Sequence, residues 1–219
     1  MRLLSLLPNI INGTNKADIL NGTSRVDIIS GFDGADQIYG NSGNDLLFGW
    51  NGNDRLFGGL GDDVLSGGYG KDMLSGDTGN DRLYGGYGND QLFGGTGNDV
   101  LFGGADSDKF YFNPNRHGEG NDRIADFNPN LDKIVLKLSD ILASTPGLLA
   151  ESGNPNALEA TDLDLSPLWN LSASNDGDLL ITHPNGTIEI DAINFSLALT
   201  FADVLPLIEV VPLSDLMTV

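Results

Sequence analysis

Gly85-Gly86-Tyr87-Gly88-Asn89-Asp90-Gln91-Leu92-Phe93 is followed without a gap by Gly94-Gly95-Thr96-Gly97-Asn98-Asp99-Val100-Leu101-Phe102. The same nine-residue sentence runs eleven times through residues 13–111, with no residue inserted or lost. Position one is Gly in every block, position six is Asp in every block, and position eight is always apolar, from Leu20 and Ile29 to Leu101 and Phe110. A fixed period over this length defines a repeat architecture, not a globular domain with loops. Of the 30 glycines, 24 lie in this stretch, so positions one to six read as a tight turn. Positions seven to nine, as in Arg82-Leu83-Tyr84, read as a short strand with its middle side chain inward. Three residues make no independent strand; stacked on identical neighbours they make a continuous parallel sheet. Two blocks then form one coil, with odd blocks stacked on odd and even on even.

That stacking predicts two aspartate ladders. Asp18, Asp36, Asp54, Asp72, Asp90 and Asp108 lie on one edge, and Asp27, Asp45, Asp63, Asp81 and Asp99 on the other. Two bare carboxylates ~5 Å apart repel by roughly 3 kcal/mol at an effective dielectric of ~20, so a cation between rungs is expected. The ligands at hand are all oxygens, because both histidines, His117 and His183, lie outside the repeats and cysteine is absent. Oxygen-only sites rich in carbonyls favour Ca²⁺ over zinc, copper or Mg²⁺.

The Gly-Gly-x-Gly-x-Asp-x-apolar-x block resembles the nonapeptide of the RTX, or hemolysin-type, calcium-binding repeat family. The resemblance implies an all-β, right-handed parallel β-roll over 13–111, preceded by an N-terminal cap (1–12) and followed by a small β-rich C-terminal domain (112–219). It implies ligation by Asp36, Asp45, Asp54, Asp63, Asp72, Asp81, Asp90 and Asp99, with Asp27 and Asp108 at the ends. It also implies main-chain ligands at position four: Gly34, Gly43, Gly52, Gly61, Gly70, Gly79, Gly88 and Gly97. Position five offers further oxygens at Asn44, Asn53, Asp62, Asn80, Asn89 and Asn98. About six well-formed calcium sites are expected. Position four departs from Gly at Lys16, Arg25 and Asp106, so sites are expected to weaken at the N-terminal end; Lys71 at position five could weaken one in mid-roll.

The net charge of −20, with only 11 Lys+Arg, argues against nucleic acid and against an electrostatic hold on anionic lipid. No stretch approaches the ~18 apolar residues of a membrane span. Leu3, Leu4, Leu6 and Leu7 resemble a signal peptide but are too short a run, and read as an apolar cap on the first turn. The outward aromatics of position nine, such as Tyr39, Phe57, Tyr84 and Phe102, suit either ladder stacking or a partner surface.

After Tyr111 the period is lost. Residues 113–120 read as a loop, Asn128-Pro129-Asn130 as a turn, and 143–176 as a long insertion. Leu179–Thr182 and Thr187–Ile190 flank a hairpin turn. Gly120–Phe127, Asp132–Leu136 and the acidic, then mostly apolar, ending Asp215-Leu216-Met217-Thr218-Val219 resemble the segment that follows the roll in type I secreted proteins. That resemblance implies calcium ions and a type I secretion machinery as partners and an extracellular location. A buried final strand is the other reading of the ending. No catalytic motif is visible, so no enzyme is expected. The function classes left are a secreted calcium-binding protein with a structural or interaction role, and the export-and-folding tail of a larger secreted enzyme or toxin.

Overall fold

The computed structural model describes residues 7–112, 120–137, 170–173, 179–183, 186–190 and 208–211. Twelve strands come from the repeats and the residues just before them. They are β1 (Asn9–Asn12), β2 (Ile19–Asn21), β3 (Asp27–Asp33), β4 (Gln37–Ser42), β5 (Leu46–Asn51), β6 (Arg55–Leu60), β7 (Val64–Tyr69), β8 (Met73–Thr78), β9 (Arg82–Tyr87), β10 (Gln91–Thr96), β11 (Val100–Ala105) and β12 (Lys109–Phe112). Odd strands stack in one sheet and even strands in the other, all in parallel. Leu83 of β9 lies in register between Leu65 of β7 and Leu101 of β11, eighteen residues away on either side. This is the parallel β-roll with two blocks per coil.

Only small or apolar side chains fit between the sheets. The position-eight residues from Ile29 to Phe110 are fully buried and form one continuous spine. Each such Ile or Leu contributes ~1.5–3 kcal/mol of burial. The neighbours on either side of Leu83 in β9 face outward, as the alternation of a strand requires. Position-nine rings stack one coil apart: Tyr39 on Phe57, Tyr84 on Phe102 and Phe93 on Tyr111, with centroids 5.0, 4.8 and 4.3 Å apart.

The strands are longer than the three residues expected. β9 spans six, because pairing resumes after the position-one glycine: Gly86 pairs with Gly104 and Tyr87 with Ala105. Positions two and three thus belong to the ladder, and the turn shrinks to positions four to six.

The sheets also run on beyond Tyr111. β13 (Gly120–Ile124) stacks in parallel on β11, and β14 (Lys133–Lys137) on β12. The offset grows from eighteen residues to 23 and 24, as Val100↔Arg123 and Lys109↔Lys133 show. Ile124 and Ile134 extend the buried spine, and Phe127 packs beside Phe110 at 5.9 Å. Next in line are β17 (Gly186–Ile190) on β13 and β18 (Ile208–Val211) on β14. The expected hairpin is present as antiparallel β16 (Leu179–His183) and β17. The end of the expected insertion is strand rather than loop: β15 (Asn170–Ala173) pairs antiparallel with β16.

Asn128 caps the turn expected there, its carbonyl accepting from the amides of Leu131 and Asp132 at 3.0 and 2.8 Å. Leu7, expected within an apolar cap, is 65% exposed, and its carbonyl accepts from Arg25 Nη2 at 2.8 Å. Leu3, Leu4, Leu6, the 113–119 part of the expected loop with His117, and the Asp215–Val219 ending lie outside the described residues. Among the described residues, no helix is long and apolar enough to cross a membrane.

Candidate metal centre

The two aspartate ladders lie on the two turn edges, and their rungs are joined by the backbone. The main-chain N–H of each aspartate donates to Oδ1 of the aspartate one coil later. Asp45 donates to Asp63 at 2.7 Å and Asp63 to Asp81 at 2.7 Å; on the other edge Asp54 donates to Asp72 and Asp72 to Asp90, both at 2.8 Å. One oxygen of each carboxylate is therefore satisfied by protein, which the sequence reading did not foresee.

The other oxygen is not. Oδ2 of Asp36, Asp45, Asp54, Asp63, Asp72, Asp81, Asp90, Asp99 and Asp108 is buried with no hydrogen-bond donor. Leaving a buried polar atom unpaired costs ~1–3 kcal/mol, and more when it is charged. Burial is the largest cause of a common upward pKa shift; neighbouring carboxylates add less by repulsion, except at Asp99, where Asp122 acts the other way through a hydrogen bond. Burial pushes Asp45, Asp54 and Asp99 up to about 6, and Asp63, Asp72, Asp81, Asp90 and Asp108 up to about 7. Asp36 is raised for the same reason. The expected carboxylate repulsion is thus real but secondary to desolvation. A row of buried, unpartnered carboxylate oxygens fits a bound cation, which favours the ionised form that burial penalises.

Glycine keeps this space open. At position one, a Cβ on Gly40 would lie 2.6 Å from Asp45 Oδ2 and 2.5 Å from the Gly58 carbonyl oxygen, so any side chain would occupy the site. At position four, Gly70 has φ +138°, and a Cβ there would collide with the carbonyl of Gly52 one coil before. The other expected position-four glycines, Gly34, Gly43, Gly52, Gly61, Gly79, Gly88 and Gly97, share that left-handed backbone.

Position two needs it as well. Phe32, Asn41, Trp50 and Asp77 sit at φ 72–77°, a conformation that costs a non-glycine residue roughly 1–2 kcal/mol. Asp106, a departure from Gly at position four, keeps the left-handed turn at φ 79°.

The position-five oxygens form a separate outer ladder. Asn53 Oδ1 accepts from the Lys71 amide at 2.8 Å, Asp62 Oδ1 from Asn80 at 2.8 Å and Asn98 Oδ1 from Asn121 at 2.8 Å. Asn44, Asn80 and Asn89 accept in the same way from Asp62, Asn98 and Ser107. All six are exposed, whereas the position-six carboxylates are buried. The structure therefore shows these side chains bracing consecutive coils.

Among the described residues, no three acidic or imidazole side chains converge. The residues that would hold an ion here are the position-six aspartates, through Oδ2, with the turn carbonyls beside them, a hard, all-oxygen set that would suit calcium.

Three ladder residues were missed by the sequence reading. Asp122 Oδ1 accepts from the Asp99 amide at 2.9 Å and Asp132 Oδ1 from the Asp108 amide at 3.0 Å, both carboxylates being buried. Asp126 closes the edge, taking the Gly103 and Gly104 amides at 2.8 and 2.9 Å. The signal was there: Gly120-Asn121-Asp122-Arg123-Ile124 repeats positions four to eight of Gly79-Asn80-Asp81-Arg82-Leu83 with one conservative change. The longer offset hid it.

The shared oxygens make a testable pairing. Asp63 and Asp81 are joined rungs, while Asp72 stands on the opposite edge. Asp63→Ala with Asp81→Ala should show a coupling of roughly 1–3 kcal/mol in calcium-dependent stability, and Asp63→Ala with Asp72→Ala should be closer to additive. Thermal melts at fixed calcium measure both cycles, and stronger coupling in the nine-spaced pair would contradict the shared rungs.

Comparison with known proteins finds the same nine-residue repeat. The family model of the RTX calcium-binding nonapeptide repeat matches in four copies, at residues 12–47, 30–65, 48–83 and 84–113. Together the four copies span residues 12–113, and over that region the chain matches the RTX calcium-binding repeat. Among solved structures, the chain is similar to the extracellular lipase LipA from Serratia marcescens, at 18% identity and TM-score 0.44, covering 92% of this chain and 39% of that one. The chain thus spans well under half of the lipase. It is also similar to the AlgE6R3 subunit of the Azotobacter vinelandii mannuronan C5-epimerase, at 21% identity and TM-score 0.21, covering 82% of this chain and 72% of that one. No curated protein matches the chain.

Proposed function

We propose that this chain is a secreted calcium-binding repeat protein whose roll folds on binding several calcium ions outside the cell. There it serves as a structural or interaction module. The observation that carries this reading is the row of nine buried Oδ2 atoms without a donor, from Asp36 to Asp108. Cations neutralise such a row at every coil; the alternative is a stack of protonated or repelling acids. The ligands are the position-six carboxylates with the carbonyls of the glycine turns. We assign the chain no catalytic step.

Folding outside the cell follows from affinity. Weak oxygen sites of this kind fill at extracellular calcium and stay empty in the cytosol, so the chain would travel unfolded and order itself on arrival. Export through a type I system rests on the resemblance of the segment after the roll. Deleting residues 160–219 should abolish export from a host carrying a compatible transporter, with the amount of protein in the medium as the readout. Undiminished secretion of the truncated chain would remove the export part of the reading. The calcium part is tested separately, by counting ions bound to the purified chain.

A further inference from the structure

The first two blocks differ from the other nine in their turns. In blocks three to eleven, positions two and four both have positive φ, as at Trp50 and Gly52 or Gly104 and Asp106. In blocks one and two neither position does: Thr14, Lys16, Thr23 and Arg25 are absent from the left-handed region. Their position-two residue instead turns two donors onto the carboxylate of its own block. Thr14 donates to Asp18 Oδ2 from its amide at 2.7 Å and from its hydroxyl at 2.8 Å. Thr23 donates to Asp27 Oδ2 from its amide at 2.6 Å and from Oγ1 at 3.0 Å. The oxygen that lacks a donor from Asp36 onward is therefore doubly hydrogen-bonded here.

We propose that Thr14 and Thr23 stand in for the cation, making blocks one and two a metal-free starter coil on which ion-binding turns begin only at block three. This rests on the calcium reading of the interior turns. Two donors on one carboxylate oxygen supply by hydrogen bonds the partners that an ion would otherwise provide. A cation would have to displace both donors and approach the charged residues at position four, Lys16 or Arg25. The coil still presents the correct template to the next one, since the Asp18 amide donates to Asp36 Oδ1 at 2.8 Å. Asp27 Oδ1 is left without a donor because the amide one coil earlier, that of Asn9, goes to the Val26 carbonyl instead. At the far end the Asn128 amide donates to Asp132 Oδ2 at 2.7 Å, one donor where the first two blocks have two.

The test counts calcium bound per folded chain at saturating calcium, in the full-length protein, with circular dichroism reporting folding. Asp18→Asn should leave the count unchanged, whereas Asp63→Asn should lower it. Thr23→Gly combined with Arg25→Gly restores the glycine turn around Asp27 and should raise the count by about one. An ion lost in Asp18→Asn, or a folded double variant with no added ion, overturns the assignment while leaving the interior sites intact. A wild-type chain that folds and binds no calcium removes the calcium reading itself, and the starter coil with it.

Discussion

Stripped of calcium at pH 8, the chain should lose its β-sheet signal and recover it on titration with calcium. The expected effect is large. At free calcium ~100-fold above Kd, each independent site adds about 2.7 kcal/mol, so about six sites would add roughly 16 kcal/mol. That exceeds the ~5–15 kcal/mol of a typical domain. The metal-free roll has little to set against it. Its core is only two files of Ile, Leu and Phe side chains, one from each sheet, and its glycine-rich turns lose much backbone entropy on ordering. Far-UV circular dichroism in excess chelator and then in calcium measures this directly. A β-rich spectrum that persists unchanged in chelator would contradict it.

The second large effect is a reversal of pH dependence when calcium is removed. Burial raises Asp63, Asp72, Asp81, Asp90 and Asp108 from 3.8 to about 7, and Asp45, Asp54 and Asp99 to about 6. Between about pH 4 and pH 7 the folded, metal-free roll therefore holds more protons than the unfolded chain. Its stability is greatest below pH 4 and falls as pH rises through that window. In chelator, acidification from pH 8 to pH 5 should restore β structure, because a protonated Oδ2 is no longer a buried charge. With calcium present the sign inverts, since protons compete with the ion for the same oxygens, and apparent calcium affinity should weaken as pH falls from 8 to 5. Melts at the two pH values, with and without chelator, give all four numbers. Equal loss of structure at pH 5 and pH 8 in chelator would show that buried carboxylate charge is not what opposes folding.

Much of this was legible in the residues. The period of nine, the odd-on-odd stacking and the inward position eight placed Leu65, Leu83 and Leu101 in one file, and the structure pairs them so. The aspartate ladders were legible for the same reason. Their hydrogen bonding was not. Whether the Asp45 amide meets Asp63 Oδ1 depends on backbone register within the turn, which a pattern of residue types does not specify. The position-five side chains show the same limit: Asn53 and Asn98 carry good ligand oxygens, but these accept from amides of the following coil. Asp122 and Asp132 were hidden because the offset lengthens to 23 and 24 residues, so a search at a fixed period stops one coil short. Lys16 and Arg25 led to an expectation of weak sites in the N-terminal blocks from their charge alone; that the turn takes another shape there, with Thr14 and Thr23 hydrogen-bonded to the carboxylate's open side, was not legible.

The central claim is that buried Oδ2 atoms, one per interior coil edge, are calcium ligands. The most direct measurement is the number of calcium ions bound per folded chain, taken for the wild type and for Asp63→Asn at pH 8. The account predicts several ions in the wild type, fewer in the variant, and a matching loss of thermal stability. A wild-type roll that is fully folded with no calcium bound would contradict it.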